Sequence, residues 1–333
     1  MSKIFITGVA GFLGSHLADK CIEEGHEVYG IDNLVGGYME NVPEEVVFRV
    51  GDCGDIELMN RLLKDMDVVF HCACTAQEGL SIFSPSFITQ NTFGNSISVI
   101  SASIANNVKR FVYLSSIARY GALETPFTED MVCAPQDPYG IAKLAVENTL
   151  RILCDVHGME YVIAVPHNII GTRQKYDDPF RNVVSIMINR MLQGKPSIIY
   201  GDGEQQRTFS FVSDVVSPLY KMATADVNGQ VINIGPDDRA TTINELDAII
   251  ADILQCPLSP IHVPDRPNEV KRASSSNKKA MELLDYNPTK VLEEGIEEMV
   301  QWIQERGAKE FEYELPIEIV NEKTPDTWVK RMI

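Results

Sequence analysis

The chain has 333 residues, of which 44% are hydrophobic and 23% charged, and its formal net charge is −18 at pH 7. This composition is typical of a folded globular protein, and the length predicts one and a half to two domains. Because an acidic surface repels phosphate backbones, we expect neither nucleic acid nor an anionic membrane as a partner. An anionic ligand would have to be bound by backbone donors and a few arginines.

The N-terminal segment and the cysteines favour a cytoplasmic location. Met1 to Gly8 leads directly into a predicted strand, without the basic and apolar regions of a secretory signal. No apolar run approaches the ~20 residues needed to span a bilayer. Seven cysteines are scattered through apolar stretches, which is typical of reduced thiols in the cytosol. The six histidines show no metal-ligand spacing, so we expect no metal site.

The first half of the chain alternates β-rich and helical segments, which predicts an α/β fold with a parallel sheet. The predicted strands are 4–7, 27–32, 46–50, 67–71, 110–115 and 160–165, and the predicted helices are 12–25, 56–65, 88–106 and 139–157. The continuous Val/Ile character of the strands indicates burial on both faces.

After Pro166 the pattern becomes less regular. The predicted elements are a helix at about 180–193, a strand at 197–200, a glycine-rich turn at 201–203, short strands, and helices at 245–254, 278–284 and 292–306. We predict a doubly wound Rossmann domain over 1–166 with parts of about 208–240, and a smaller, interleaved substrate domain over 167–207 and 241–333. In the tail, 308–333, Pro316 and Pro325 argue against a long helix.

A glycine-rich loop, Gly8-Val9-Ala10-Gly11-Phe12-Leu13-Gly14, follows the first predicted strand and begins the first helix. This spacing allows a tight turn and a close approach to a pyrophosphate at the positive end of the helix. Asp32 ends the second strand, where a carboxylate accepts both adenosine-ribose hydroxyls and repels a 2′-phosphate, so we expect NAD rather than NADP. Asp52 can bond the adenine amino group or is only a turn residue. The predicted cofactor residues here are Gly8, Gly11, Phe12, Leu13, Gly14, Asp32, Asn33, Asp52 and Cys53.

Tyr139 and Lys143 lie four residues apart on a predicted helix, so their side chains share one face. A nearby ammonium stabilises a phenolate and lowers the pKa of the phenol, and the lysine can also bond the nicotinamide ribose. Ser116 follows the fifth strand, where its hydroxyl can bond the substrate oxygen that loses a proton. We therefore predict Ser116, Tyr139 and Lys143 as the catalytic groups, with Tyr139 as the base.

These motifs resemble the nucleotide-sugar epimerase/dehydratase branch of the extended short-chain dehydrogenases, over nearly the full length of the chain. The matching stretches are the glycine loop, Ser115-Ser116 to Tyr120-Gly121, Pro138 to Lys143, Gly201 to Arg207, Asp214, and Arg266-Pro267-Asn268-Glu269. The resemblance implies NAD as the cofactor, a UDP-linked sugar as the substrate, and a homodimer formed through helices at around 90–106 and 140–157.

The resemblance also implies roles that the spacing alone does not assign. Three asparagines resemble residues that contact, in turn, the cofactor, the sugar or its phosphates, and the diphosphate: Asn91, Asn168 and Asn182. Arg207 and Arg266 resemble the pair that clamps the diphosphate, with Glu269 on the ribose. The alternative for each arginine is a surface ion pair.

The resemblance further implies an opening step in which the tyrosine takes the proton of the sugar 4-hydroxyl while hydride leaves C4 for NAD. Dehydratases and decarboxylases of the branch typically have an additional acidic residue after the catalytic Ser or Thr, where this chain has Ile117-Ala118. This difference favours 4-epimerisation of UDP-glucose, UDP-N-acetylglucosamine or UDP-glucuronate through a transient 4-keto sugar. The alternatives are a 4,6-dehydratase or decarboxylase, a nucleotide-sugar reductase, and an NAD-binding sensor without turnover.

Four further residues bear on the substrate. Arg119 stands where the family has a small apolar residue, and can reach toward cofactor or substrate. His167 is either an additional acid or base or a packed core residue. Ala273 lies near the position of a bulky tyrosine in glucose-restricted epimerases, so it leaves room for an N-acetyl group, whereas Lys175 can face a hexuronate carboxylate. The sequence does not choose among these sugars.

Overall fold

A seven-stranded parallel sheet forms the centre of the chain. The computed structural model describes residues 1–237 and 240–333. From one edge to the other, the strands are β11 (Val231–Ile234), β6 (Glu160–Pro166), β5 (Arg110–Leu114), β4 (Val68–His71), β1 (Lys3–Thr7), β2 (Glu27–Asp32) and β3 (Val47–Val50). All neighbouring pairs are parallel. The predicted α/β Rossmann fold is confirmed.

Helices cover both faces of this sheet. The helices are α1 (Phe12–Glu23), α2 (Ile56–Leu62), α3 (Glu78–Ser81), α4 (Pro85–Thr89), α5 (Asn95–Ala105), α6 (Pro138–His157), α7 (Val183–Leu192), α8 (Val212–Lys221), α9 (Ile243–Ile253), α10 (Lys278–Leu284), α11 (Leu292–Arg306) and α12 (Asp326–Val329). Residues of α1, α8 and α10 form the hydrophobic cluster on one face, and residues of α2, α5 and α6 form the cluster on the other. The inner strands are therefore buried on both sides, as their Val/Ile content predicts. At the sheet edge, β3 is an exception, because Val47 and Val50 are exposed there.

The strand order reverses between β1 and β4, because the chain crosses from β3 at one edge back to β4 on the other side of β1. Crossovers that leave in opposite directions open a crevice at the carboxyl ends of the strands. The glycine loop after β1 and the segment after β4 lie at this crevice.

Several helices differ from the predicted ones. The helix predicted at 88–106 starts at Pro85 as α4 and passes through a π turn, Gln90–Gly94, into α5. The helix predicted at 180–193 begins only at Val183, since Asn182 has φ 55° and caps the helix by accepting a hydrogen bond from the Val184 N–H. We did not predict α8, which has Pro218 in its interior; its buried residues Val215 and Leu219 pack in the same cluster as α1.

The remaining strands form small sheets in the part of the chain after Pro166. They are β7 (Ile169–Ile170), β8 (Ile198–Tyr200), β9 (Gln206–Arg207), β10 (Ser210–Phe211), β12 (Thr241–Thr242), β13 (Ile261–Val263) and β14 (Arg272–Ala273). β7 pairs with β10, β8 with β13, and β9 lies between β12 and β14. Helices α7, α9 and α11 contribute to a third hydrophobic cluster.

Within the predicted 208–240 part, α8 and β11 pack in the core of the large sheet, while residues 238 and 239 at its end lie outside the described residues. Helix α10 falls in the predicted 241–333 part, but Ala280 and Leu284 join the same large-sheet core.

The tail, residues 308–333, packs against the body of the protein. Trp328 and Ile333 are buried in a cluster with Leu80, Phe83 and Phe180. The carboxylate of Glu318 accepts hydrogen bonds from the Ser86 and Phe87 N–H groups at the start of α4, at 2.9 and 2.8 Å. The tail therefore supports the elements that follow β4. As its prolines predict, its described helix is short, α12.

Among the described residues, no helix is long and apolar enough to cross a membrane. Nor does the same part of the chain contain a group of three or more His, Cys, Asp or Glu side chains placed to hold a metal ion.

Candidate active site

A cavity of ≈ 610 Å³ lies at the crevice and extends between the large sheet and the part of the chain after Pro166. It is lined by all the residues to which we assigned a catalytic, cofactor or substrate contact: Gly8, Gly11, Phe12, Leu13, Gly14, Asp32, Asn33, Asp52, Cys53, Asn91, Ser116, Tyr139, Lys143, Asn168, Asn182, Arg207, Arg266 and Glu269. Residues that are far apart in sequence thus share one cavity. The four further residues considered for the substrate are described below.

The glycine loop is packed too tightly for side chains. Gly8 has φ +73°, and a Cβ added at Gly14 would lie 2.2 Å from the Gly8 carbonyl oxygen. This close contact brings the start of α1 against the end of β1. Gly11, the N-cap of α1, makes no side-chain capping bond, and the first turn contains no acidic residue. The free N–H groups and the positive end of the helix dipole therefore suit the pyrophosphate of a dinucleotide.

Asp32 is buried at the end of β2 beside this loop. Its carboxylate accepts hydrogen bonds from the Ala10 N–H at 3.0 Å and the Leu34 N–H at 2.7 Å. Burial raises the pKa of Asp32, and the backbone hydrogen bonds act in the opposite direction. The carboxylate is held rigidly where an adenosine ribose would lie, which fits NAD.

Asp52 is a turn residue, one of the two possibilities that we considered for it, and it also lines the cavity. Its Oδ1 atom accepts hydrogen bonds from the Gly54 N–H at 2.7 Å and from Asn95 Nδ2 at 3.0 Å, which stabilises the turn after β3. The same residue lines the cavity together with Cys53. Asn91 lies on the π turn, donates to the Phe87 carbonyl at 2.9 Å, and also faces the cavity.

Helix α6 places Tyr139 and Lys143 on one face, and both side chains are buried against the cavity. Asp137 caps this helix by accepting a hydrogen bond from the Gly140 N–H at 2.8 Å. The Lys143 ammonium lies 5.7 Å from the centre of the Tyr139 ring and donates to the Leu114 carbonyl at 2.7 Å. The three predicted catalytic groups come together here, because Ser116 follows β5 and its hydroxyl interacts with the Tyr139 phenol.

The electrostatics of Tyr139 differ from our prediction in one respect. Burial raises the pKa of the phenol well above its ordinary value, and the interaction with Ser116 opposes this rise. The groups that oppose this rise most strongly are Ser116 and Arg181, rather than the predicted Lys143. The phenol is therefore protonated at neutral pH in the structure described here.

Arg207 and Arg266 face the opposite end of the cavity. Glu269 bridges them: Arg207 Nη2 lies 3.1 Å from Glu269 Oε1, and Arg266 Nη2 lies 2.6 Å from Glu269 Oε2. The Arg266 guanidinium also stacks 4.6 Å from the centre of the Tyr200 ring. Both arginines line the cavity, so their ion pairs with Glu269 lie in its wall. This end has the paired, oriented guanidinium groups that a diphosphate requires.

Sequence reasoning missed three charged residues of the cavity, Glu78, Asp137 and Arg181. Glu78 begins α3, a few residues after β4, and Arg181 directly precedes Asn182. The carboxyl end of β4 was the available signal for Glu78, because ligand-binding residues of parallel sheets lie there. A Cβ added at Gly36 would lie 3.5 Å from Arg181 Nη1, so the guanidinium is close to the loop after β2.

Three of our substrate-related predictions are wrong. Arg119 does not face cofactor or substrate, because it is buried and paired with Glu147 at 3.0 Å. Ala273 packs in the core of the large sheet rather than in the cavity wall, so its size does not make room for an N-acetyl group. Lys175 is buried beside Asp177 at 3.4 Å and lies outside the cavity lining.

His167 is a packed core residue, the second of the two possibilities that we considered. It is fully buried, its Nδ1 atom lies 3.2 Å from the Ser275 hydroxyl, and it is absent from the cavity lining. Burial lowers its pKa to about 3, so the ring is neutral at physiological pH.

The fold and the cavity define a class: a Rossmann enzyme whose glycine loop suits a dinucleotide and whose paired arginines suit a diphosphate. Comparison with known proteins agrees. Residues 4–235 match the model of the NAD dependent epimerase/dehydratase family, and the chain belongs to this family. It is therefore an NAD-dependent enzyme of the extended short-chain dehydrogenase type.

The chain is similar to several proteins over most of its length. It is 31% identical over 316 residues to the UDP-glucose 4-epimerase of Mycolicibacterium smegmatis, covering 92% of this chain and 99% of the relative. It is 29% identical over 318 residues to a UDP-N-acetyl-alpha-D-glucosaminuronate decarboxylase of Bacillus cytotoxicus, covering 91% and 98%. The crystal structure of UDP-glucose 4-epimerase with UDP-glucose from Thermotoga maritima superimposes with a TM-score of 0.87 at 33% identity, covering 91% of this chain and 99% of that one.

Proposed function

We propose that this protein is a UDP-sugar 4-epimerase that uses NAD within each turnover. The observation that carries the proposal is the shared cavity, which Ser116, Tyr139 and Lys143 line together with the glycine loop and the Arg207/Arg266 pair. Similarity to 4-epimerases over more than nine-tenths of the chain supports the same reaction.

In the proposed reaction, Tyr139 removes the proton of the sugar 4-hydroxyl while Ser116 holds the same oxygen by a hydrogen bond. NAD, held by the glycine loop and Asp32, would supply the acceptor and the donor of the C4 hydride, and its positive charge would lie near the phenol. Tyr139 then returns the proton to the new 4-hydroxyl, so no net oxidation occurs. Lys143 orients the cofactor ribose and adds further positive charge beside Tyr139, which favours the phenolate.

The other residues hold the two ligands in position. Asp32 accepts the adenosine-ribose hydroxyls, and Asp52 and Cys53 contact the adenine, with Asn33 and Asn91 beside the cofactor. Arg207, Arg266 and Asn182 bind the diphosphate, Asn168 reaches the sugar, and Glu269 contacts the ribose of the UDP. The oriented guanidinium groups support this assignment, since they supply positive charge in a chain with a net charge of −18.

A second candidate is decarboxylation of a UDP-hexuronate. The similarity to the Bacillus cytotoxicus enzyme favours it. The stretch after Ser116 argues against it, because Ile117 and Ala118 have no group that can exchange a proton.

Proton NMR distinguishes the candidates when the purified protein is incubated, without added cofactor, with UDP-glucose, UDP-N-acetylglucosamine and UDP-glucuronate. The 4-epimerase proposal requires the galacto product from at least one of them. A pentose, a 4-keto sugar or an unsaturated sugar would instead establish decarboxylation or dehydration. If all three stay unchanged, addition of reduced cofactor tests for a nucleotide-sugar reductase.

We also propose that the protein acts in the cytoplasm as a homodimer formed through α5 and α6. Seven free cysteines support a reducing compartment.

Three large apolar side chains are exposed along α6: Ile141, Ile152 and Val156, at 55%, 64% and 71%. Their spacing of 11 and 4 residues places them near one face, which a second copy would cover. Light scattering tests this, because Ile152→Glu should yield monomers if α6 forms the interface.

A further inference from the structure

We propose that Glu78 faces the sugar of the bound nucleotide and selects neutral sugars over hexuronates. This inference rests on the proposed UDP-sugar substrate and narrows it to sugars without a carboxylate.

The position of Glu78 between the two ends of the cavity supports its contact with the sugar. Glu78 lines the same cavity as Tyr139, where the sugar 4-hydroxyl must lie, and its charge acts on the phenol. On the other side, it acts on the guanidinium groups of Arg207 and Arg266, where the diphosphate must lie. A Cβ added at the next residue, Gly79, would lie 3.3 Å from Arg266 Nη1, so the start of α3 is close to this guanidinium. A sugar that joins these two ends passes Glu78.

The carboxylate of Glu78 is available to a ligand. Within the described chain, it has no hydrogen-bond or ion-pair partner, unlike Asp137, whose carboxylate accepts the Gly140 N–H and caps α6. The Glu78 side chain is exposed and lines the cavity, so a ligand in the cavity can contact it. A neutral sugar can donate a hydroxyl to this acceptor.

The surroundings of Glu78 also make its charge sensitive to pH near neutrality. Enclosure by the cavity walls raises its pKa to about 7; Asp137 and Glu269 act in the same direction, and Arg207 and Arg266 oppose it. At higher pH the carboxylate is charged, and a hexuronate would bring a second negative charge into the same part of the cavity. Repulsion between unit charges a few ångströms apart in a partly buried site weakens binding on the order of tenfold or more.

The test compares UDP-glucose with UDP-glucuronate, which differ at C6 by a hydroxymethyl group against a carboxylate. kcat/KM for both is measured at about pH 6 and about pH 8, on either side of the Glu78 pKa and well above that of an ordinary carboxyl. The proteins are the NAD-loaded wild type, Glu78→Gln, which keeps the shape without the charge, and Glu57→Gln, whose parent residue is exposed on α2 away from the cavity.

We expect the wild type to prefer UDP-glucose, and the preference to increase from the lower to the higher pH. Glu78→Gln should reduce the preference on the order of tenfold at the higher pH and remove its pH dependence, whereas Glu57→Gln should match the wild type. An unchanged preference in Glu78→Gln, or a wild type that prefers UDP-glucuronate, would overturn the inference. If the wild type converts neither of these sugars nor UDP-N-acetylglucosamine, the proposed function has failed. Calorimetric binding of the same two ligands to wild type and Glu78→Gln then decides the role of Glu78 separately.

Discussion

The guanidinium of Arg119 lies 3.0 Å from the carboxylate of Glu147, and both side chains are almost completely buried. Glu147 also accepts a hydrogen bond from the hydroxyl of Ser115, which directly precedes Ser116. Since Glu147 lies one helical turn beyond Lys143 on α6, this buried pair joins the Ser116 loop to the helix of Tyr139 and Lys143. An arginine at position 119 thus has a structural partner below the cavity.

Glu147→Gln should destabilise the protein, because it leaves the charge of Arg119 buried without its counter-ion. Loss of one partner of a buried ion pair costs about 3–5 kcal/mol in the free energy of unfolding. Urea denaturation of the purified variant measures this loss.

A double variant provides the control. Arg119→Met combined with Glu147→Gln removes both charges and should be more stable than Glu147→Gln alone. Arg119→Met alone completes the comparison. If the loss in the free energy of unfolding of the double variant equals the sum of the losses in Glu147→Gln and Arg119→Met, the two side chains are not coupled, and the pair does not join the loop to α6.

Tyr139→Phe should lose most turnover and still bind NAD, because the ring is preserved and only the proton-transferring hydroxyl is removed. We expect a decrease in kcat on the order of 10²–10⁴. Full activity of Tyr139→Phe would exclude Tyr139 as the base.

The pH dependence tests the same group. Burial raises the pKa of Tyr139, so the phenolate fraction of the NAD-free protein increases as pH rises toward that pKa. The active form is the phenolate. kcat/KM for UDP-glucose should therefore increase with pH until the phenol of the NAD-loaded enzyme is fully ionised. The residual rate of Tyr139→Phe should lack this increase, and a wild-type rate that falls with rising pH would contradict the assignment.

Asp32→Ser should weaken NAD binding and improve binding of NADP. The substitution removes the carboxylate that would accept the ribose hydroxyls and repel a 2′-phosphate. Fluorescence titration with both cofactors measures the change, for which we expect a shift in the NAD/NADP affinity ratio of at least about tenfold, as for the loss of a charged hydrogen bond. Asp52→Asn is a suitable comparison, since it lies on the same side of the cavity, and its ratio should stay near that of the wild type.

The residues that sequence reasoning placed correctly in the cavity belong to local patterns. Gly8 and Gly14 follow from the spacing within one loop, and Tyr139 and Lys143 follow from the pitch of one helix. Arg207 and Arg266 required the family resemblance, because nothing in their own neighbourhoods distinguishes a ligand site from a surface ion pair.

The errors concern side chains whose direction is set by tertiary packing. Ala273 turns into the large-sheet core and Lys175 pairs with Asp177, and neither contact has a local signal. Helix α8 was missed for a related reason. Its interior Pro218 is a helix breaker by propensity, whereas burial of Val215 and Leu219 in the core shared with α1 stabilises the helix.

Gly37→Ala should impair the cofactor side of the cavity, although Gly37 belongs to none of the motifs identified in the sequence. Gly37 forms a β-bridge with Gly11, and a Cβ at this position would lie 2.1 Å from the Ala10 carbonyl oxygen. The methyl group must push the loop after β2 away from the glycine loop, which carries the Ala10 N–H bonded to Asp32. We expect a loss of about 1–3 kcal/mol in the free energy of unfolding, as for other overpacked sites, together with weaker NAD binding.

The adjacent Gly36→Ala is the matched control, because its Cβ would meet only Arg181 Nη1 at 3.5 Å, an ordinary contact. Urea denaturation and NAD titration of the two variants should therefore separate them, and equal losses would show that the approach of Gly37 to Ala10 does not shape the cofactor site.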